Sequence, residues 1–283
     1  MSNGQEPDPP PIVQPEGNFD GDSAFGGVTT FTASYHPQYA DADQSDISTT
    51  RTADSSIYRY RVENGRSYHA YKDGSEALYK PLGLCSLVPS NCKFEIDDMD
   101  DDWTYQQRFT FIHTRLMGQA LDNWPKFFEQ AFETSNLESG GYLELQECHV
   151  PCRSDDGTLK PYSVLSRWCS LMLECGRRLD KPGSVAPIAK QLMEEMGFVD
   201  VVEIQYKWPT NSWPEDAHLK ELGMWNETNQ RLGFEGASLA FFTRVLGWTV
   251  EELNGFLLEL KACVEDRSIH AYWPIYVVYG RKP

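Results

Sequence analysis

The 283-residue chain has no apolar run near the roughly 20 residues that a helix needs to cross a bilayer, which argues against a helical membrane protein. Its first eleven residues are polar and rich in proline, with no basic start and no apolar stretch behind them. The sequence therefore predicts no secretory leader and an intracellular protein. Cysteine is scarce, with seven residues, an odd number. Cys148 and Cys152 stand as C-x3-C without a matching His or Cys pair, so no zinc site is expected and the thiols are read as reduced. Base is scarce too. Lys and Arg number 25 against 42 Asp and Glu, a net charge of −17. Phosphate backbones are held by clustered cations, so nucleic acid is not the expected direct ligand, and cationic partners are favoured. No two of the 21 glycines stand two apart, so G-x-G occurs nowhere and both the dinucleotide fingerprint and the Walker loop are missing. H-E-x-x-H and G-x-S-x-G are absent as well. The six histidines are scattered, and nothing in their spacing nominates a nucleophile or any other catalytic residue.

What is present divides at about residue 57. Residues 1–57 hold nine acids and one base, a net charge of −8, with six prolines and no apolar periodicity. Such a segment buries too little surface to offset its ordering entropy, and it is expected to be a disordered acidic tail. Its scattered aromatics offer a second use, as anchors for a partner. Residues 58–283 alternate strand and helix patterns, which predicts an α/β domain with a mainly parallel sheet. Short strands are expected over 93–96, 109–113, 142–146, 199–206 and 272–279. Gly140-Gly141 is read as a break before the third, and Pro274 as an edge or bend in the last. Trp124, Phe127, Phe128, Ala131 and Phe132 mark one face of a helix, with Asn123 as its cap and Pro125 in its first turn. Leu165, Trp168, Met172, Cys175 and Leu179 mark a second. Residues 185–196 form a third, ended by Gly197. Thr249 and Glu252 make a capping box before Leu253, Phe256, Leu257 and Leu260. Two strands thus close the chain with a helical insert between them.

Six of the eight residues 95–102 are carboxylates. The run lacks the spacing and the glycine of a calcium loop. It reads either as a solvated loop after a strand or as a source of an acceptor for the exocyclic amine of an adenine. Ligands of open α/β sheets sit at that strand edge. Asp98, with Asp97 as its alternative, is the carboxylate at the end of that strand. His113, after a strand at the same edge, is a pocket wall or a structural residue. Trp208, Trp213 and Trp225 line a substrate cavity or belong to the core, and Arg115 has Glu144 and Glu147 as candidate ion-pair partners.

The order F-E-I-D-D (94–98), W-T-Y (103–105), F-x-F-I-H-x-R (109–115), G-G-Y-L-E-L-Q-E (140–147), S-D-D-G-T-L (154–159), K-W-P (207–209), K-E-L-G-x-W-N (220–226), T-R-V-L-G-W (243–248) and the closing residues 269–283 resembles the fungal LaeA-like methyltransferases. E-N-G-R-S-Y-H-A-Y-K-D-G (63–74) resembles their N-terminal signature. The resemblance implies a class I, Rossmann-like, seven-stranded fold and S-adenosyl-L-methionine as cofactor. It also implies a role in fungal secondary metabolism or its regulation. Members work in the nucleus beside velvet-type regulatory proteins or sit in biosynthetic clusters, and the methyl acceptor is a metabolite or a protein. Nuclear placement is implied by the resemblance alone, since no basic localisation run occurs.

One departure stands out. Between K-D-G and F-E-I-D-D the family carries a first strand with a G-x-G-x-G turn, a helix, and a second strand ending in the ribose-binding acid. Here only residues 75–86 bridge that gap. The expectation is a methyltransferase-like domain truncated within its N-terminal half, with Asp97, Asp98 and His113 left on one rim of the cofactor site. S-adenosylmethionine binding would be impaired, and an exposed neighbouring strand would invite association. The alternative is a non-catalytic interaction protein that partners velvet-type regulators. Intact signatures on both sides of the junction point to a missing exon.

Overall fold

The computed structural model describes residues 61–63, 66–68 and 97–283 except 119 and 182. All of these fall in one compact unit, Thr52–Pro283. The expected tail over 1–57, the strand over 93–96 and the bridging residues 75–86 lie outside the described residues. Strands β1 (Arg61–Glu63) and β2 (Arg66–Tyr68) pair antiparallel.

The main sheet has the order β3-β4-β6-β5, built from β3 (Phe109–Arg115), β4 (Leu137–Cys148), β5 (Val199–Pro209) and β6 (Tyr272–Arg281). β3 and β4 are parallel, while β6 runs antiparallel to both β4 and β5. Three strands therefore point one way and the closing strand is inserted against them. The expected mainly parallel α/β sheet stands, with a single reversed member.

Two strand readings need correction. β4 does not begin after Gly140-Gly141 but runs through them. Phe109 faces Leu137 and Phe111 faces Tyr142, so the glycines take up a register irregularity. Gly140 sits at φ +82°, and a Cβ on Gly141 would come within 3.0 Å of the Thr110 carbonyl oxygen. Pro274 lies in a strand flanked on both sides rather than on an edge. It stands just past the last rung of β4, Cys148 opposite Ile275, where its carbonyl accepts the His149 N–H at 2.8 Å.

Helix α1 (Trp124–Phe132) starts as its sequence asks: Asn123 accepts the Lys126 N–H, and Pro125 lies in the first turn. It buries Trp124, Phe127, Phe128 and Ala131 against Leu143 and Leu145 of β4 and Tyr276 and Val278 of β6. Helix α3 (Ala189–Met196) joins it on this face, preceded by a 3-10 turn over Ala186–Ile188 and ended by Gly197 at φ +99°. The third expected helix thus begins as a tighter turn.

Helices α2 (Val164–Arg178), α4 (Ala217–Ala240) and α5 (Val250–Glu265) form a second cluster. Leu165, Trp168, Phe234, Phe242, Leu253 and Leu260 pack there around Trp273 and Ile275. The Thr249–Glu252 capping box is formed in both directions. α4 presses its Gly223 onto the end of β5, where a methyl group would collide with the Asn211 carbonyl. Asn226 and Gln230 of the same helix donate to the carbonyls of Pro209 and Thr210 at 2.8 and 3.0 Å, and Gln230 accepts the Trp273 indole N–H at 2.8 Å.

The second cluster covers only the Trp273–Ile275 end of its sheet face. Farther along that face Phe111, Tyr142 and Val202 are 53%, 41% and 37% exposed. β3 has no further strand beside it among the described residues. No helix among the described residues is long and apolar enough to cross a membrane.

Candidate functional site

The parallel strands β3 and β4 finish at one edge, the side on which open α/β sheets take ligands. β3 runs out at Arg115, and Leu116 turns the chain with φ +55°. The next two amides, Met117 and Gly118, donate to Oε1 and Oε2 of Glu147 at 2.8 and 3.0 Å. Glu147 is 2% exposed. Burial raises its carboxyl to about 7, although both amide bonds pull the other way. Beside it, burial pushes the Cys148 thiol up to about 12. His149 comes next, its basicity lowered by burial and by Arg153. Its ring stands edge-on to Tyr276, and its buried Nδ1 has no partner.

The acidic run folds onto the start of α1. Asp97 accepts the Asp98 N–H and Asp98 accepts the Asp100 N–H, each at 2.9 Å. Asp100 takes the N–H groups of Asp122 and Asn123, with distances from 2.9 to 3.1 Å. Asp102 pairs with Lys126 at 2.9 Å, which lowers the carboxyl's pKa, chiefly through that hydrogen bond. Gln130 completes the attachment: it accepts the Trp103 N–H at 2.8 Å and donates to the Asp101 carbonyl at 3.1 Å. A carboxylate at a helix start satisfies amides that the helix leaves unpaired.

The three candidates read from the sequence thus fall in two places. Asp97 and Asp98 shape the turn that enters the run. His113 lies within β3 on the open sheet face, 3.2 Å from Glu144 and stacked on Phe111 with ring centroids 6.0 Å apart. Glu144 meets His113, and Glu147 meets the turn after β3. Trp208 is half-buried against the second cluster, Trp213 stacks on His270, and Trp225 is 64% exposed. Among the described residues no group of three His, Cys, Asp or Glu side chains is placed to hold a metal ion.

From the sequence Glu147 is only a candidate ion-pair partner of Arg115, whereas the structure gives it to the Met117 and Gly118 amides, and the sequence assigns His149 no role. The signal for Glu147 is its phase. Leu143, Leu145 and Glu147 alternate onto one face, so the pattern of buried leucines ends in a carboxylate.

Known proteins similar to this chain are described as methyltransferases or as secondary metabolism regulators. No family model matches it. It is 33% identical to the methyltransferase pytC of Aspergillus terreus over 198 residues, 70% of this chain and 60% of that protein. It is 26% identical to the secondary metabolism regulator laeA of Aspergillus fumigatus over 200 residues, 69% of this chain and 52% of the relative. To Probable methyltransferase tdiE of Emericella nidulans it is 39% identical over 233 residues, 82% of this chain and 71% of tdiE. The chain belongs to the LaeA-like methyltransferase family. Its α/β sheet with the reversed last strand agrees with the class I methyltransferase-like fold that the resemblance implied. Against LaeA-like relatives such as laeA, the chain spans about half the length. Among solved structures, phosphoethanolamine N-methyltransferase 2 of Haemonchus contortus in complex with S-adenosyl-L-methionine shows a slight likeness, at a TM-score of 0.33 and 12% identity, covering 62% of this chain and 33% of that one.

Proposed function

We propose that this chain is a LaeA-like protein of fungal secondary metabolism or its regulation whose S-adenosylmethionine half-site is incomplete, so that methyl transfer is impaired. The observation that carries the reading is the missing G-x-G anywhere in the sequence, which agrees with β3 standing at an edge among the described residues. Asp97, Asp98 and His113 offer acceptor and ring chemistry suited to an adenine rim. A glycine turn that brings backbone against the methionine part does not accompany them. Asp97 and Asp98 lie in a turn and His113 within β3, so the acceptors are present without a shared cradle, and no transfer step is assigned to them. A hydrogen bond to a charged group is worth roughly 1.5–3 kcal/mol, and about 1.4 kcal/mol is tenfold in affinity. Losing the ribose acid and the backbone cradle together costs on the order of a thousandfold.

Titration calorimetry of the whole chain with S-adenosylmethionine tests this. The expected result is no binding in the micromolar range. A monodisperse monomer that binds at micromolar concentration overturns it, because another segment would then have rebuilt the site.

The open sheet face supports a second reading, a non-catalytic protein that docks on velvet-type regulators in the nucleus. Co-elution with a velvet-type protein, lost in Phe111→Ser, would favour it; separate elution at micromolar concentrations would discard it.

A further inference from the structure

We infer that Glu147 is a positioning residue of the ligand edge, its carboxylate fixing the turn that closes β3 by holding two consecutive backbone N–H groups. Leu116 occupies a left-handed conformation that a branched residue leaves unless its surroundings hold it. On one side its own N–H donates to the Gln146 carbonyl at 2.9 Å, continuing the contact with β4. On the other, the Met117 and Gly118 amides converge on the carboxyl group, one on each oxygen. Gly118 leaves room for it, since a Cβ there would lie 3.2 Å from Oε2.

The carboxylate belongs to β4, so its place is set by the sheet and not by the turn it holds. Its two neighbours in phase are Leu143 and Leu145, and a residue needed only for packing would be apolar like them. Asp100 does the same at the far end of the connection, through the Asp122 and Asn123 amides. The link from β3 to α1 is therefore gripped by one acid at each end. Through it Glu147 controls where the run bearing Asp97 and Asp98 sits against the end of the sheet. The ligand is the one of the proposed function; the grip is a property of the free chain.

Amide exchange and nitrogen–proton spectra of the full chain test it without any ligand. In Glu147→Ala the Met117 and Gly118 amides are expected to exchange at least about ten times faster, as for a lost bond to a charged acceptor. Glu147→Gln, which keeps the shape and one acceptor, should restore part of the protection. Gly118→Ala, which crowds the carboxylate, should reproduce the loss at those amides while Leu253 and Leu257 of α5 keep theirs. In the parent the two amide signals should shift together with a midpoint near pH 7, and in Glu147→Gln they should not. Other titratable or charged groups on the adjoining segments are Arg115, Asp122, Cys148, His149 and Tyr276, so the Gln variant is the control that assigns the midpoint. Equal exchange in all four proteins, or the same midpoint in Glu147→Gln, overturns the inference. Failure of S-adenosylmethionine to bind tests only the cofactor reading and does not alter these signals.

Discussion

The two faces of the main sheet are made by the same strands and have opposite fates. On one, α1 and α3 seal Leu143, Leu145, Tyr276 and Val278, and Phe128 is wholly buried. On the other, helices reach Trp273 and Ile275 and leave the β3 end bare, with Phe111 and Tyr142 in solvent. β3 itself shows the contrast within one strand. Thr114 is buried on the first face, while Phe111, on the second, is more than half exposed. Exposed aromatics beside a strand that has no further neighbour among the described residues mark a surface suited to binding. Among the described residues the sheet thus seals one face and leaves part of the other, around Phe111 and Tyr142, uncovered.

The sharpest way to break this comparison is to truncate one aromatic on each face. Phe128→Ala should cost about 3–5 kcal/mol in urea unfolding, and Phe111→Ala less than about 0.5 kcal/mol. Equal costs would mean that Phe111 is covered in solution. Next in size is a pH effect on the sealed face. Glu147 rises from an ordinary value of 4.5 to about 7 on folding. The unfolded chain therefore loses this proton first as pH rises. Its stabilising contribution is complete below pH 4.5 and is lost as pH climbs through 7, by about 3 kcal/mol. Glu147→Gln should flatten that slope in unfolding midpoints measured from pH 4.5 to 7.5. On the open face the double variant Phe111→Ser, Tyr142→Ser should weaken self-association at least about tenfold in sedimentation, a change of about 1.4 kcal/mol. Unchanged association would place the contact elsewhere. A small effect is also expected at the His113–Glu144 contact, where His113→Gln should alter stability by less than about 1 kcal/mol.

Where apolar residues face the core at regular spacing, the sequence was a sound guide. α1, α2 and α5 follow their periodicity, and Asn123, Gly197 and the Thr249–Glu252 box act where they were expected. The 24-residue α4 was legible only as an unspecified helical insert, for a physical reason. Its buried positions include Gly223, Asn226 and Gln230, whereas Trp225 and Leu232 face solvent at 64% and 77% exposure. A helix that packs through amide hydrogen bonds to backbone carbonyls carries no apolar stripe for the eye to follow. At the candidate site, the sequence brought Asp97, Asp98 and His113 forward by their residue types and by resemblance. The structure gives the two acids to a turn and the histidine to a contact with half-buried Glu144. In the sequence Glu147 is only a candidate partner of Arg115, because a lone glutamate in a strand looks like a surface residue until its phase is compared with the leucines before it.

Gly223 also sets a phase. Positions 223, 226 and 230 lie three and four residues apart along one stripe of α4, so the point where the helix touches the Asn211 carbonyl also aims both amide side chains. Rotating the helix by one residue would drive Leu222 or Met224 into that carbonyl and swing Gln230 away from the Trp273 indole. One hydrogen atom in place of a side chain thus acts as a rotational stop. A library that varies α4 should accept many residues at exposed 225 and 232 and very few besides glycine at 223.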